Sequence, residues 1–409
     1  MENSLFLKKS KGRISGEIFI TGSKSESNRL LILNKLFGNP IRLKNLSNSK
    51  DTEVLQTALE SNSEQIDIHH AGTAMRFLTA FYSIQNGKEV ILTGSSRMKE
   101  RPIGILVDAL KSLGAKISYL EKEGFPPLKI TGKSIEKNYV ELNADISSQF
   151  VTALILIAPK LPDGLTLKLN GKITSTPYLE MTLEILRKTG IKASRIGNKI
   201  RIEPLETMNP QEFTIESDWS SASYFYSLAA LSEDTGIRIH SFFENSLQGD
   251  AQVSKIYKEY FGVETQFEKS SIYLKKIKHS TPNFIELNLN STPDIAQTIA
   301  VTCAGLKVKA KFTGLETLKI KETDRLIALE NEFRKLGVQT RSTHDSFELI
   351  DFYEVNSIPK IKTYQDHRMA MSFAPMALVR DLEIENPEVV EKSYPDFWRD
   401  LNCVGIISK

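Results

Sequence analysis

Cysteine is nearly absent: two residues, Cys303 and Cys403, serve a chain of 409. Two such distant thiols exclude a disulfide framework and offer no zinc-ligand spacing. No uncharged apolar run is long enough to cross a bilayer. The stretch from Met1 to Gly12 has lysines but no apolar h-region and no cleavage-like site, so no signal peptide is expected and the cytoplasm is the expected compartment. An excess of one charge is lacking as well. The formal net charge is only +3, which argues against a nucleic-acid protein relying on bulk charge; any anion site must be local. What remains is ordinary globular composition, 40% hydrophobic and 25% charged. At this length one core does not suffice, and two domains or more are expected.

One pattern recurs along the chain. An amphipathic helix stops at a glycine, and two short strand-like runs follow. The segments are Leu106–Gly114, Leu183–Gly190, Val253–Gly262 and Leu329–Gly337. Each glycine reads as a helix stop in the left-handed conformation, and the alternation in Ala115–Leu120 reads as the strand that follows. The four glycines are 76, 72 and 75 residues apart, a spacing that chance does not keep. A second helix, apolar nearly all round, recurs in phase at Gly72–Ala80, Ser147–Leu156, Ser220–Leu228, Asp294–Val301 and His367–Phe373. With the helix entered through Lys24 to Arg29 there are six, three in each half. All-round apolar helices belong in domain centres. The expected architecture is α/β, with two domains of three repeated helix-and-sheet units each. The first copy is truncated: after Asp51–Leu59 there is no glycine stop and hairpin, so a strand pair should be missing.

These six helices begin with Lys24/Ser25, Gly72/Thr73, Ser147/Ser148/Gln149, Asp218/Ser220/Ser221, Asp294 and His367/Arg368. Facing starts from two domains would line a cleft with N–H groups and positive dipole ends, a trap for a multiply anionic ligand. Taken singly, each start is also accounted for by N-capping. Capping does not account for Lys, Arg and His at the positive end of a helix, and that cost points to an anion. Two further knots of charge, Arg97–Pro102 and Lys319–Arg325, precede helices. A salt-bridged solvated face accounts for them equally well in isolation. Pro102 is expected to open the helix after the first knot.

Taken together, Gly22-Ser-Lys-Ser-x-Ser-Asn-Arg29, Ala71-Gly-Thr-Ala-Met-Arg76, Arg97-Met-Lys-Glu-Arg-Pro-Ile103, Ser147-Ser-Gln-Phe150, Pro293-Asp294, Lys321-Glu-Thr-Asp-Arg325, Asp366-His-Arg-Met-Ala-Met371 and Lys392-Ser-Tyr-Pro-Asp396 resemble the motifs of the EPSP synthase (3-phosphoshikimate 1-carboxyvinyltransferase) family. They fall in family order over essentially the whole chain. The resemblance implies transfer of the enolpyruvyl group of phosphoenolpyruvate to the 5-hydroxyl of shikimate 3-phosphate in the shikimate pathway, through a tetrahedral intermediate that then eliminates phosphate. It implies no metal or organic cofactor, no nucleic-acid or membrane partner, and a monomer. The implied fold is the two-domain inside-out α/β barrel. One domain would hold residues 1–21 and 219–409, the other residues 22–218, with the active site in the cleft between them.

Position by position, the resemblance places shikimate 3-phosphate contacts on Lys24, Ser25, Arg29, Ser147, Ser148, Gln149, Ser175, Tyr178, Asp294 and Lys321. It places phosphoenolpyruvate contacts on Lys24, Gly72, Arg101, Gln149, Arg325, Arg368 and Lys392. Arg, Lys and helix-start N–H groups are what phosphate and carboxylate require. Asp294 matches the base for the hydroxyl, Glu322 the acid for the methylene carbon, and Lys24 a carrier of the leaving group's proton; His367 reads as a positioning residue. Two departures stand out: His70 replaces the Asn usual before Ala-Gly-Thr, and Thr317 stands where the family often has Asn. Alternative readings are the sister transferase acting on UDP-N-acetylglucosamine and a non-catalytic anion-binding scaffold. The sister family usually carries a Cys in the loop matching Arg97–Arg101, where this chain has none.

Overall fold

A computed structural model describes residues 3–143, 148–171 and 176–406. The chain forms two compact units, Gly22–Ile215 (the inserted unit) and Met1–Thr21 with Glu216–Lys409 (the terminal unit). The border at Ile215 and Glu216 follows from their bonds. Ile215 donates its N–H to the Lys44 carbonyl at 3.0 Å, and its own carbonyl accepts from Asn45 at 2.9 Å. Glu216 instead accepts from Trp219 Nε1 at 2.8 Å and from the Phe243 N–H at 2.9 Å.

The repeated element is strand, buried helix, parallel strand, amphipathic helix, then an antiparallel hairpin. In the inserted unit Gln65–Asp67 pairs in parallel with Glu89–Thr93 across the helix Gly72–Ser83. The helix Gly104–Leu113 then leads to Lys116–Tyr119 and Leu128–Thr131, and Leu128–Thr131 closes on Glu89–Thr93. The same order runs through Tyr139–Asn143, Leu165–Asn170, Ala193–Ile196 and Lys199–Ile202. In the terminal unit it runs through Phe284–Asn288, Lys309–Thr313, Val338–Ser342 and Phe347–Phe352. There the remaining four-stranded copy is split by the insertion: Arg13–Ile18 lies parallel to Asp234–His240, and Val263–Glu268 with Ser271–Lys276 completes that sheet.

Among the described residues, the copy built on the helices Lys24–Leu36 and Lys50–Glu60 has two strands only, Ile41–Lys44 and Gln211–Thr214 in parallel. This is the missing strand pair expected after Leu59. A second shortfall was not expected. Among the described residues, the copy with Lys360–Ile361, Leu382–Glu385 and the helices His367–Phe373 and Phe397–Cys403 also lacks its hairpin. Ser4–Leu7 substitutes for one strand by pairing antiparallel with Leu382–Glu385. Gly114, Gly190, Gly262 and Gly337 all have positive φ, between 65° and 112°, as a left-handed helix stop requires.

The second helix type is buried as its composition demands. Every residue of Gly72–Ser83 but Thr73 is buried, as is every residue of Trp219–Leu231 but Leu231. Where three such helices meet in the terminal unit, Ser223, Thr298 and Ser372 place one hydroxyl each in a chain with 3.2 Å steps. Small hydroxyl side chains let the three helices approach closely while satisfying one another's polar atoms. No helix among the described residues is long and apolar enough to cross a membrane.

Candidate active site

The terminal unit gathers its charges from three loop-to-helix junctions. Asp294 lies in the short turn Pro293–Ile295 that enters the helix Ala296–Leu306. Lys321 and Glu322 lie just before the helix Arg325–Lys335, whose start is fixed by Asp324 accepting from the Leu326 and Ile327 N–H groups at 3.1 and 3.2 Å. Asp366 caps His367–Phe373 by accepting from the Arg368 N–H at 2.9 Å. Local capping therefore sets where each side chain emerges.

Arg325 ties the three junctions together. Its Nε donates to Asp366 Oδ2 at 2.7 Å, Nη2 to Glu322 Oε2 at 2.9 Å, and Nη1 to Asp294 Oδ1 at 3.3 Å. Arg368 Nη2 pairs with Asp294 Oδ2 at 3.1 Å, and its Nη1 donates to the Asp294 carbonyl at 2.9 Å. Lys392 pairs with Glu322 Oε1 at 3.4 Å, and Lys321 with Asp294 Oδ1 at 3.8 Å. The Arg325 side chain is 2% exposed, whereas those of Asp294 and Glu322 are 16% and 15% exposed. The cation is thus buried structure, while both carboxylates reach solvent. Burial alone would lower Arg325, but Asp366, Glu322 and Asp294 together hold it above the usual arginine value. Lys321 moves the other way: Asp294 raises it, yet burial and the neighbouring Arg325 and Arg368 outweigh that pull and hold it below the usual lysine value.

The inserted unit treats its cations differently. Lys24 opens Lys24–Leu36 and pairs with Asp51 at 3.1 Å. Arg29 donates to Thr182 Oγ1 at 2.8 Å, to the Ser25 carbonyl at 2.7 Å and to the Tyr178 carbonyl at 3.3 Å. These acceptors are neutral, and burial brings Arg29 down to about 10. Arg76, at 2.9 Å from the Gly72 carbonyl and 3.3 Å from that of Pro102, ties the Gly72 helix start to the turn that follows the short helix Ser96–Lys99. Gly72 itself leaves no room: a Cβ there would stand 2.5 Å from Arg101 Nη1. Arg101 Nε is buried without a hydrogen-bond partner among the described residues. Ser148 and Gln149 form the start of Ser148–Ile157, and Gln149 Nε2 donates to Thr73 Oγ1 at 3.3 Å. His70 Nδ1 lies 2.8 Å from Ser95 Oγ.

Within the terminal unit, then, Asp294, Lys321, Glu322, Arg325, Arg368 and Lys392 form one web. In the inserted unit Arg29 bonds the Ser25 and Tyr178 carbonyls and Gln149 bonds Thr73, while the Arg101 guanidinium packs against Gly72. Ser147 and Ser175 lie outside the described residues. Pro102 does not open a helix; Ile103 occupies the cap position and the helix begins at Gly104, because the turn is shaped instead by the Ile103 and Gly104 N–H groups bonding to the Gly124 carbonyl. Thr317 Oγ1 is buried without a hydrogen-bond partner among the described residues. Sequence reasoning missed Asp51 and Asp366 as partners of the site cations. Asp366 could have been found, because Asp directly before a helix start is a cap signature. Asp51 offered no such signal, since it meets Lys24 only through packing.

Residues 54–401 match the family model of EPSP synthase (3-phosphoshikimate 1-carboxyvinyltransferase). The 3-phosphoshikimate 1-carboxyvinyltransferase of Bacteroides fragilis strain YCH46 is 43% identical, with 98% of each chain covered. That of Shewanella pealeana is 34% identical over 96% of this chain and 97% of its own. Among solved structures, an EPSP synthase from Acinetobacter baumannii shares the fold with a TM-score of 0.79 at 21% identity, covering 99% of both chains.

Proposed function

The chain belongs to the EPSP synthase family of 3-phosphoshikimate 1-carboxyvinyltransferases, and on that premise we propose how its two charged clusters divide the reaction. The reaction moves the enolpyruvyl group of phosphoenolpyruvate to the 5-hydroxyl of shikimate 3-phosphate and releases phosphate. Both substrates are small and multiply anionic. In the inserted unit Lys24, Ser25, Arg29, Ser147, Ser148, Gln149, Ser175 and Tyr178 serve shikimate 3-phosphate, and Lys24, Gly72, Arg101 and Gln149 serve phosphoenolpyruvate. In the terminal unit Asp294 and Lys321 serve the former, and Arg325, Arg368 and Lys392 the latter.

The observation that carries this reading is the sharing of one buried guanidinium, Arg325, by two partly exposed carboxylates, Asp294 at 3.3 Å and Glu322 at 2.9 Å. Pure anion binding has no use for carboxylates there; proton transfer does. Asp294 takes the proton of the 5-hydroxyl as that oxygen bonds to C2 of phosphoenolpyruvate. Glu322 gives a proton to C3, which completes the tetrahedral adduct. Phosphate then leaves from C2 while C3 returns a proton to Glu322, and Lys24 protonates the departing phosphate. Arg325 and Lys392 both pair with Glu322; an anionic substrate drawn to those same cations competes for them and favours the protonated form that Glu322 needs to deliver its proton.

The test is phosphate release from phosphoenolpyruvate with and without shikimate 3-phosphate. Release that requires shikimate 3-phosphate is expected. Release with UDP-N-acetylglucosamine instead would move the substrate assignment to the sister reaction. No release with either, from folded protein that binds shikimate 3-phosphate, would overturn the catalytic reading.

A further inference from the structure

Asp250 lies beside the Asp294 web, yet the scheme above gives it no task. It sits in the short turn Gly249–Gln252 and is 4% exposed. Ser220, in the first turn of Trp219–Leu231, donates its hydroxyl to Asp250 Oδ2. Arg368 Nη2 donates to that same Ser220 Oγ at 3.4 Å while pairing with Asp294 Oδ2 at 3.1 Å. A continuous polar chain therefore runs Asp250, Ser220, Arg368, Asp294. The other oxygen, Asp250 Oδ1, is buried with no hydrogen-bond partner among the described residues. A carboxyl group kept only to tie a turn would be expected to have both oxygens satisfied, because an unpaired buried acceptor costs stability. The charged groups facing it are Asp294 and Asp218, of like sign, and Arg368, of opposite sign. Asp218 is itself committed to capping, accepting from the Ser221 N–H at 2.8 Å.

We propose that Asp250 is a positioning residue for the transfer reaction: through Ser220 and Arg368 it orients Asp294, and through its charge it sets how strongly Asp294 holds a proton. Burial first, and then Asp294, push Asp250 up to about 7, against the pull of Arg368 and the Ser220 hydrogen bond. Its charge thus changes near neutral pH. Coupling between two carboxyl groups is mutual. An ionised Asp250 makes Asp294 the stronger base; a neutral Asp250 leaves Arg368 to Asp294 alone and weakens it. An anion arriving on Arg368 would draw that cation away from both carboxyl groups, favouring one proton shared across the pair.

This inference rests on the reading of Asp294 as the base, and the experiment separates the two. The pH profile of kcat/KM for phosphate release is measured on the full chain with both substrates. If the unaltered protein shows no release that depends on shikimate 3-phosphate, the parent reading fails, and this inference fails with it. If it does, Asp250→Asn is expected to move the acid limb down by roughly one pH unit and to lower plateau kcat several-fold, with KM for shikimate 3-phosphate within about twofold. Asp250→Glu, which keeps the charge, is expected to restore the limb. An unmoved limb, or a pH-independent loss that Asp250→Glu does not rescue, overturns the proposal. Should Asp250→Asn not fold, Ser220→Ala carries the test, since it keeps both carboxyl groups and removes the hydroxyl between Asp250 and Arg368. Under the proposal it moves the limb and raises KM for phosphoenolpyruvate; a profile superimposed on that of the unaltered protein overturns it.

Discussion

Arg325 and Arg29 are both buried, both near helix starts and both tied into the chain by several hydrogen bonds, yet they are compensated in opposite ways. Arg325 is met by three carboxylates and held above the usual arginine value. Arg29 is met by a hydroxyl and two carbonyl oxygens, and burial brings it down to about 10. The difference is one of unspent charge. Around Arg325 the positive charge is neutralised by carboxylates of the chain itself. Around Arg29 the bonded acceptors carry no charge, and Glu26 offsets only part of the effect of burial. On the reading proposed above, the first cluster serves proton transfer and the second serves anion binding.

The largest effect that would break this comparison is on turnover. Glu322→Gln keeps the shape of the terminal cluster but removes the proton donor proposed above, and kcat is expected to fall on the order of 10³-fold with KM values little changed. Steady-state phosphate release measures both; unchanged kcat would end the assignment. Next comes stability, where one substitution in each unit makes a matched pair. Asp366→Ala takes from Arg325 its shortest partner and should cost about 3–5 kcal/mol. Thr182→Ala takes from Arg29 a neutral acceptor and should cost about 1.5–3 kcal/mol. Denaturant midpoints at constant m-value give the two costs, and equal costs would mean that the kind of partner does not matter.

A smaller, more local effect is expected at Gly72. A methyl group there meets the far end of the Arg101 side chain at 2.5 Å, which can swing away, so the fold should tolerate Gly72→Ala. KM for phosphoenolpyruvate should nevertheless rise about tenfold, equivalent to ~1.4 kcal/mol, because Arg101 is displaced; substrate titration with a parallel melting curve separates the two effects. The titration of Asp250 sharpens the comparison further. Its folded value of about 7 lies above its ordinary 3.8, so the folded state binds the extra proton between those values. This group's contribution to stability therefore falls as pH rises through that window, and Asp250→Asn should flatten the slope in denaturant titrations from pH 4 to 7. Smallest of all is the thiol chemistry. Cys303 is buried and its thiol pushed up by burial, whereas Cys403 is exposed. Under native conditions a thiol reagent should label Cys403 and spare Cys303, with turnover unaltered.

Much of the repeat was legible before any coordinates. The amphipathic helices with their glycine stops, the all-round apolar helices and the truncated copy after Leu59 are all local patterns. The residues of the site were legible as motifs, but their partners were not. Asp51 and Asp366 escaped as partners of Lys24 and Arg325, and the helix-start cations, read as awaiting an outside anion, proved in several cases to be answered by carboxylates of the chain itself. Nor did any local pattern announce that Ser4–Leu7 completes the sheet of Leu382–Glu385.

That division has a physical basis. Helix starts and stops are decided by side chains acting on backbone groups a few residues away: Asp366 on the Arg368 N–H, Asp324 on those of Leu326 and Ile327, and glycine on its own φ. Such interactions can be read along the chain, and the sequence alone determined them. The ion pairs of Arg325 with Asp294 and Asp366 join residues far apart in the chain. Their strength depends on burial and on distances of about 3 Å, which exist only once three helix starts have packed together. Tertiary structure therefore decided which buried charges meet a carboxylate of the chain and which meet only neutral oxygen.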